Sequence, residues 1–191
     1  MSTIKTTNIT HGSNSGTNNI ILDDTGKVSI ADKKLHCPGT VIQVLQAFKS
    51  DAYTRTSDST STTIPGLEQA ITMTSASNKV LVMAQVQATC GTNYGGHVLN
   101  LVRGTTKISQ ATDAGSRTVG TISLSPGNTY PYSHVINYLD TPGTGTHTYA
   151  VQDMDTDGTN NVIYINRTVN DSNATHKQRT TSSLILMEVV V

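Results

Sequence analysis

From Thr40 to Val191 the chain alternates short β-prone runs with turn signals, and this punctuation constrains the fold more than any other feature. The runs are Tyr53 to Ile64, Ala70 to Thr74, Val80 to Thr89, Val98 to Arg103, Thr118 to Ser125, Val135 to Asp140, His147 to Gln152, Val162 to Arg167 and Ser183 to Val191. Between them stand Pro65-Gly66, Ser75 to Lys79, Gly95-Gly96, Pro126-Gly127-Asn128, Pro142-Gly143 and Asp157-Gly158. Such spacing is too short and too often broken by glycine for helices of ordinary length. It predicts an all-β sandwich or barrel.

Val41 to Phe48 fits a helical period about as well as a strand period, and its β-branched residues tip it toward strand. The final run, Leu184-Ile185-Leu186-Met187-Glu188-Val189-Val190-Val191, is almost continuously apolar. It predicts a strand with both faces buried.

Residues 1–39 differ in character from the rest of the chain. Polar runs such as Thr10-His11-Gly12-Ser13-Asn14-Ser15-Gly16-Thr17 offer no core side chains and read as an extended arm. Within the arm, Asn19 to Leu22 and Lys27 to Ile30 flank Asp23-Asp24-Thr25-Gly26, a composition suited to a short β-hairpin. Two short strands do not hold together alone in water, so this hairpin calls for partners. Pro38-Gly39 marks the boundary with a head domain, residues 40–191.

Hydrophobic residues make up 35% of the chain, Trp is absent and Phe48 is the only Phe, which leaves a thin core for a lone subunit. Self-association would add the buried area that the chain lacks. Thirteen basic residues balance thirteen acidic ones, so no global field draws the protein to nucleic acid or an anionic bilayer. The isolated His176-Lys177-Gln178-Arg179 stretch reads as a solvated loop. No apolar run is long enough for a helical membrane span, and the opening residues lack the apolar core of a secretory signal. The expectation is synthesis in the cytoplasm, with no nucleic acid or membrane as partner. Cys37 and Cys90 are far apart and in no metal-binding pattern, and are expected to be free thiols.

Several stretches resemble the virion structural or tail-fibre-like proteins of tailed bacteriophages of aquatic bacteria. The opening Met1-Ser2-Thr3-Ile4-Lys5-Thr6-Thr7-Asn8-Ile9 and the hairpin Asn19 to Val28 look like that group's arm. Gly39-Thr40-Val41-Ile42-Gln43-Val44, Ser77-Asn78-Lys79-Val80-Leu81-Val82, Val162-Ile163-Tyr164-Ile165-Asn166-Arg167 and Leu186-Met187-Glu188-Val189 look like its β head. The resemblance implies a jelly-roll-like β-sandwich that assembles as a homotrimer, with residues 1–39 tying each subunit to its neighbours or to other virion proteins. It implies localisation in the virion after synthesis in the host cytoplasm. Tail fibre or fibre tip is the first expectation, and capsid cement or decoration protein the alternative.

Asp153-Met154-Asp155-Thr156-Asp157-Gly158 has carboxylates at alternate positions and a Gly at the turn, as calcium loops do. Asp153, Asp155 and Asp157 are thus the candidate calcium ligands. The position where an EF-hand places its closing Glu is Tyr164, and the competing reading is an acidic turn joining two strands. No other cofactor is expected. Thr92 to Gly96 and Asn128 to Tyr132 combine rings with small polar residues, which makes Tyr94, Tyr130 and Tyr132 candidates for contact with a host-surface glycan or protein. The competing reading is packing, with Tyr replacing the missing Phe and Trp. Gly-X-Ser-X-Gly is absent, and His11, His36, His97, His134, His147 and His176 are scattered without zinc-site spacing. Catalytic residues are not expected. A polysaccharide-degrading spike, built on carboxylates paired only in space, is the enzymatic rival.

Overall fold

The computed structural model describes the backbone at Asn8–Ile9, Ile20–Leu22 and Val28–Ile30, and residues 37–56, 59–91, 96–113, 115–125, 127, 129–156, 158 and 161–191. Every strand pairing is antiparallel. In the arm, β1 (Asn8–Ile9), β2 (Ile20–Leu22) and β3 (Val28–Ile30) form a three-stranded sheet. Ile20 pairs with Ile30 and Leu22 with Val28, as expected of the hairpin, whose turn lies outside the described residues.

Two further sheets make the head. Its strands are β4 (Val41–Lys49), β5 (Tyr53–Thr56), β6 (Thr62–Thr72), β7 (Lys79–Cys90), β8 (His97–Arg103) and β9 (Thr106–Ile108). They continue with β10 (Ile122–Leu124), β11 (Tyr132–Asp140), β12 (Thr146–Asp155), β13 (Val162–Ile165) and β14 (Ser182–Val189). One sheet runs β10-β8-β12-β6, with β9 also on β8. The other is centred on β7: β11 covers one edge, while β14 and then β13 share the other end to end. Beyond these lie β4 on β14 and β5 on β13.

The alternation of β7 shows why these residues form a sandwich. Val80, Val82, Ala84, Val86, Ala88 and Cys90 are buried, while Met83 and Gln85 between them are exposed. Paired residues of neighbouring strands point to one side, so Leu186, Val82 and Tyr138 form one inward row and Leu184, Ala84 and Ile136 the next. These meet Ile64, Leu67, Leu101, Tyr149 and Val151 of the other sheet in one hydrophobic core. The head is an all-β sandwich of the expected class.

Several expectations of detail differ, among them the Tyr53 to Ile64 run, which divides between β5 and β6. Pro65-Gly66 does not end a strand: β6 runs through it as a bulge, in which Gly66 takes φ +82° and the pairing with β12 slips between Ala150 and Gln152. A bulge tolerates a proline because the ladder there needs no N–H. The 118–125 run yields strand only at Ile122–Leu124. Most informative is β14, where Ser182, Leu184, Leu186 and Glu188 are buried but Ser183, Ile185, Met187 and Val189 are only half-buried. Among the described residues one face of this apolar strand is covered and the other is not.

Candidate functional site

The half-covered side of β14 belongs to a continuous surface, the outer face of the β7-centred sheet. Register sets its rows. Val44, Met187, Leu81 and Leu139 stand side by side across β4, β14, β7 and β11. The next row is Gln46, Ile185, Met83 and Asn137, and the third is Phe48, Ser183, Gln85 and Val135. The first row is apolar from edge to edge, and the other two are apolar at half their positions. Phe48, Val44, Val135 and Leu139 are 61, 57, 56 and 50% exposed.

With Val41 and Met83, these side chains present roughly 500 Å² of apolar surface, at the upper end of what a monomer's largest patch shows. A standard interface buries about 800 Å² per partner, of which somewhat over half is apolar. The face therefore supplies the apolar share of one such interface. Among the described residues none covers these three rows, and they hold no charged side chain: Lys79 lies at their margin, and Arg167 stacks over Tyr164 farther along the same face.

The acidic positions lie elsewhere. The β-prone run expected to stop at Gln152 continues in β12 to Asp155, which puts Asp153 and Asp155 at alternate positions facing the interior. Both are buried. Arg55 Nη1 donates to Asp153 Oδ2 at 2.7 Å, and His97 Nδ1 lies 2.7 Å from Asp153 Oδ1. Asp155 accepts from the Asn161 backbone N–H at 3.0 Å and from its Nδ2 at 3.2 Å. Since Arg55 is on β5 and Asp153 on β12, the ion pair ties one sheet to the other. Asp157 lies outside the described residues. Among the described residues no group of three His, Cys, Asp or Glu side chains is placed to hold a metal ion.

Of the ring candidates, Tyr130 is 40% exposed beside the start of β11, and Tyr132 is 54% exposed on that strand. Tyr94 lies outside the described residues. Gly127, shortly before Tyr130, donates its N–H to the Gly91 carbonyl at 3.0 Å, which holds that segment to the end of β7. Tyr149 is a packing ring, fully buried, with its hydroxyl 2.7 Å from Asp140. Burial first, then the neighbouring Asp140 carboxylate, pushes that phenol well above its usual range. Cys37 is exposed and Cys90 buried, and both are free thiols. Burial is the main reason the Cys90 thiol is pushed up to about 11.

Sequence reasoning missed the polar anchors of the core. Glu188 is fully buried and accepts from Thr74 N at 2.9 Å, Thr74 Oγ1 at 2.6 Å, Asn78 Nδ2 at 2.7 Å and Gln43 Nε2 at 2.8 Å. Burial alone would raise this carboxyl, but its hydrogen bonds from Thr74, Asn78 and Gln43 together hold it below the ordinary range. Asp140 likewise takes Arg103 at 2.5 Å besides the Tyr149 hydroxyl. The available signal was Glu188 itself, the one charge in an otherwise apolar run. No known family matches the chain, and no curated protein matches it.

Proposed function

We propose that this chain is a non-enzymatic structural protein of a bacteriophage particle, a homotrimeric tail fibre or fibre tip. In this reading the head joins its copies through the outer face of the β7-centred sheet, and residues 1–39 anchor the assembly to other virion proteins. The observation that carries the reading is that face, apolar in one complete row and uncovered among the described residues. An apolar patch of this size on a chain with so little hydrophobic residue to spare is costly unless a partner covers it. The number three, the jelly-roll-like arrangement and the phage setting come from the sequence resemblance. Function then follows from anchoring and from repeated weak surface contacts, which gain effective concentration when three copies are joined.

The test is immunogold labelling of phage particles that carry this gene, with antibody raised against the purified head. Gold on the fibres is the expected result. Gold over the capsid faces would move the protein to the cement role, and unlabelled particles would overturn the virion assignment.

A further inference from the structure

At the open edge of the sandwich, beside the apolar face but not on it, lies a groove of about 150 Å³. One wall is the start of β11, which supplies Tyr132 and His134, and the other is the exposed Ser123 of β10 with the exposed Ser125 just after that strand. Ala88 and Leu124, both buried, form its floor. The walls are fixed relative to each other: Cys90 Sγ donates to the Ser125 carbonyl at 3.1 Å, and Tyr132 pairs with Ala88 across the ladder.

We infer that this groove binds one ring of a neutral saccharide, with the Tyr132 ring stacked on its C–H face and the Ser123 hydroxyl and His134 imidazole bonding its hydroxyls. Three observations carry this. Tyr132 is more than half exposed at the start of β11, where its backbone is paired with Ala88, so its ring offers flat contact area at small entropic cost. Among the described residues the lining carries no ionic side chain, which suits an uncharged, hydroxyl-rich ligand and not an acidic sugar. The volume is well below the roughly 300–1,000 Å³ of sites that enclose drug-sized ligands, and matches a single ring held at its edge while the rest of a glycan stays in solvent. Burial keeps His134 below its usual range against the opposing effect of its hydrogen bond with the Ala88 backbone, so at neutral pH the ring is neutral and its other nitrogen is available to a sugar hydroxyl. The inference rests on the attachment reading above and names the ligand class for it.

Saturation-transfer difference NMR on the full-length protein tests it, using methyl glycosides of glucose, galactose and mannose, with methyl glucuronide as the charged control. Transfer to at least one neutral glycoside is expected, with affinity lowered about tenfold or more in Tyr132→Ala and largely kept in Tyr132→Phe. Tyr132 is exposed, so the melting temperature of Tyr132→Ala should match the parent and confirm that the loss is local. No transfer to any neutral glycoside, equal transfer to the glucuronide, or an undiminished signal in Tyr132→Ala would each overturn the inference. Light scattering on the same samples separates the two claims. Trimers that bind no sugar leave the assembly reading intact, and sugar-binding monomers refute the assembly alone.

Discussion

Replacing Glu188 tests whether hydrogen bonds hold a charge inside this core. In Glu188→Ala the fully buried Asn78 loses its acceptor at 2.7 Å and keeps only the longer bond to the Thr74 hydroxyl at 3.2 Å, a loss worth roughly 1–3 kcal/mol in the interior. Thr74 is exposed and its freed groups can turn to water, while Gln43 is half-buried and keeps a bond to the Thr72 carbonyl at 2.9 Å. Adding the void left by the side chain, the total should be about 3 kcal/mol. Glu188→Gln keeps one acceptor for Asn78 and Thr74 but turns an NH₂ toward Gln43 Nε2, so about 1 kcal/mol is expected. The charge adds a pH dependence. Because the folded carboxyl lies below the ordinary glutamate value of 4.5, its contribution is complete above that pH and is lost as the pH falls below it. Urea unfolding at fixed protein concentration, repeated from neutral to acid pH, measures both effects. The gap between parent and Glu188→Gln should narrow in acid. A loss below about 1 kcal/mol for Glu188→Ala, or a gap that stays constant with pH, would refute the reasoning.

Asp153→Ala removes the buried carboxylate shared by Arg55 and His97 and should cost roughly 3–5 kcal/mol by urea unfolding, whereas the paired change Asp153→Leu with Arg55→Met should cost less. A double variant worse than the single one would show that the cross-sheet ion pair is not what matters. Because Arg55 and His97 already occupy both Asp153 oxygens, millimolar calcium should leave the melting temperature unchanged, and a rise of several degrees would support the calcium reading instead. One thiol per chain, Cys37, should react promptly with a chromogenic disulfide, with Cys90 reacting only on unfolding. Two fast thiols would contradict the burial of Cys90.

The strands of the head were legible because period-two alternation and turn residues are local signals. Val80 to Thr89 and Val98 to Arg103 each fall within one residue of β7 and β8 at either end. Val41 to Phe48, ambiguous by period, is the strand β4. Which strands lie side by side was not legible, since β14 on β7 and β12 on β8 join residues distant in sequence. For that reason Asp153 read as a loop carboxylate: its partners Arg55 and His97 come from two other strands. The apolar face was half legible. The continuous run at Leu184 to Val191 predicts two buried faces, and the described residues bury one and leave the other half-covered.

Light scattering on the purified full-length protein, alone and as Leu139→Lys, tests the central claim most directly. Leu139 sits half exposed in the fully apolar row, so a lysine there is tolerated by the single subunit and places a charge in the proposed contact. The parent should have three times the 20.3 kDa mass of one chain, and Leu139→Lys should fall to a single chain with unchanged far-ultraviolet circular dichroism. A parent that stays a single chain at tens of micromolar, or a trimer indifferent to Leu139→Lys, would contradict assembly through this face.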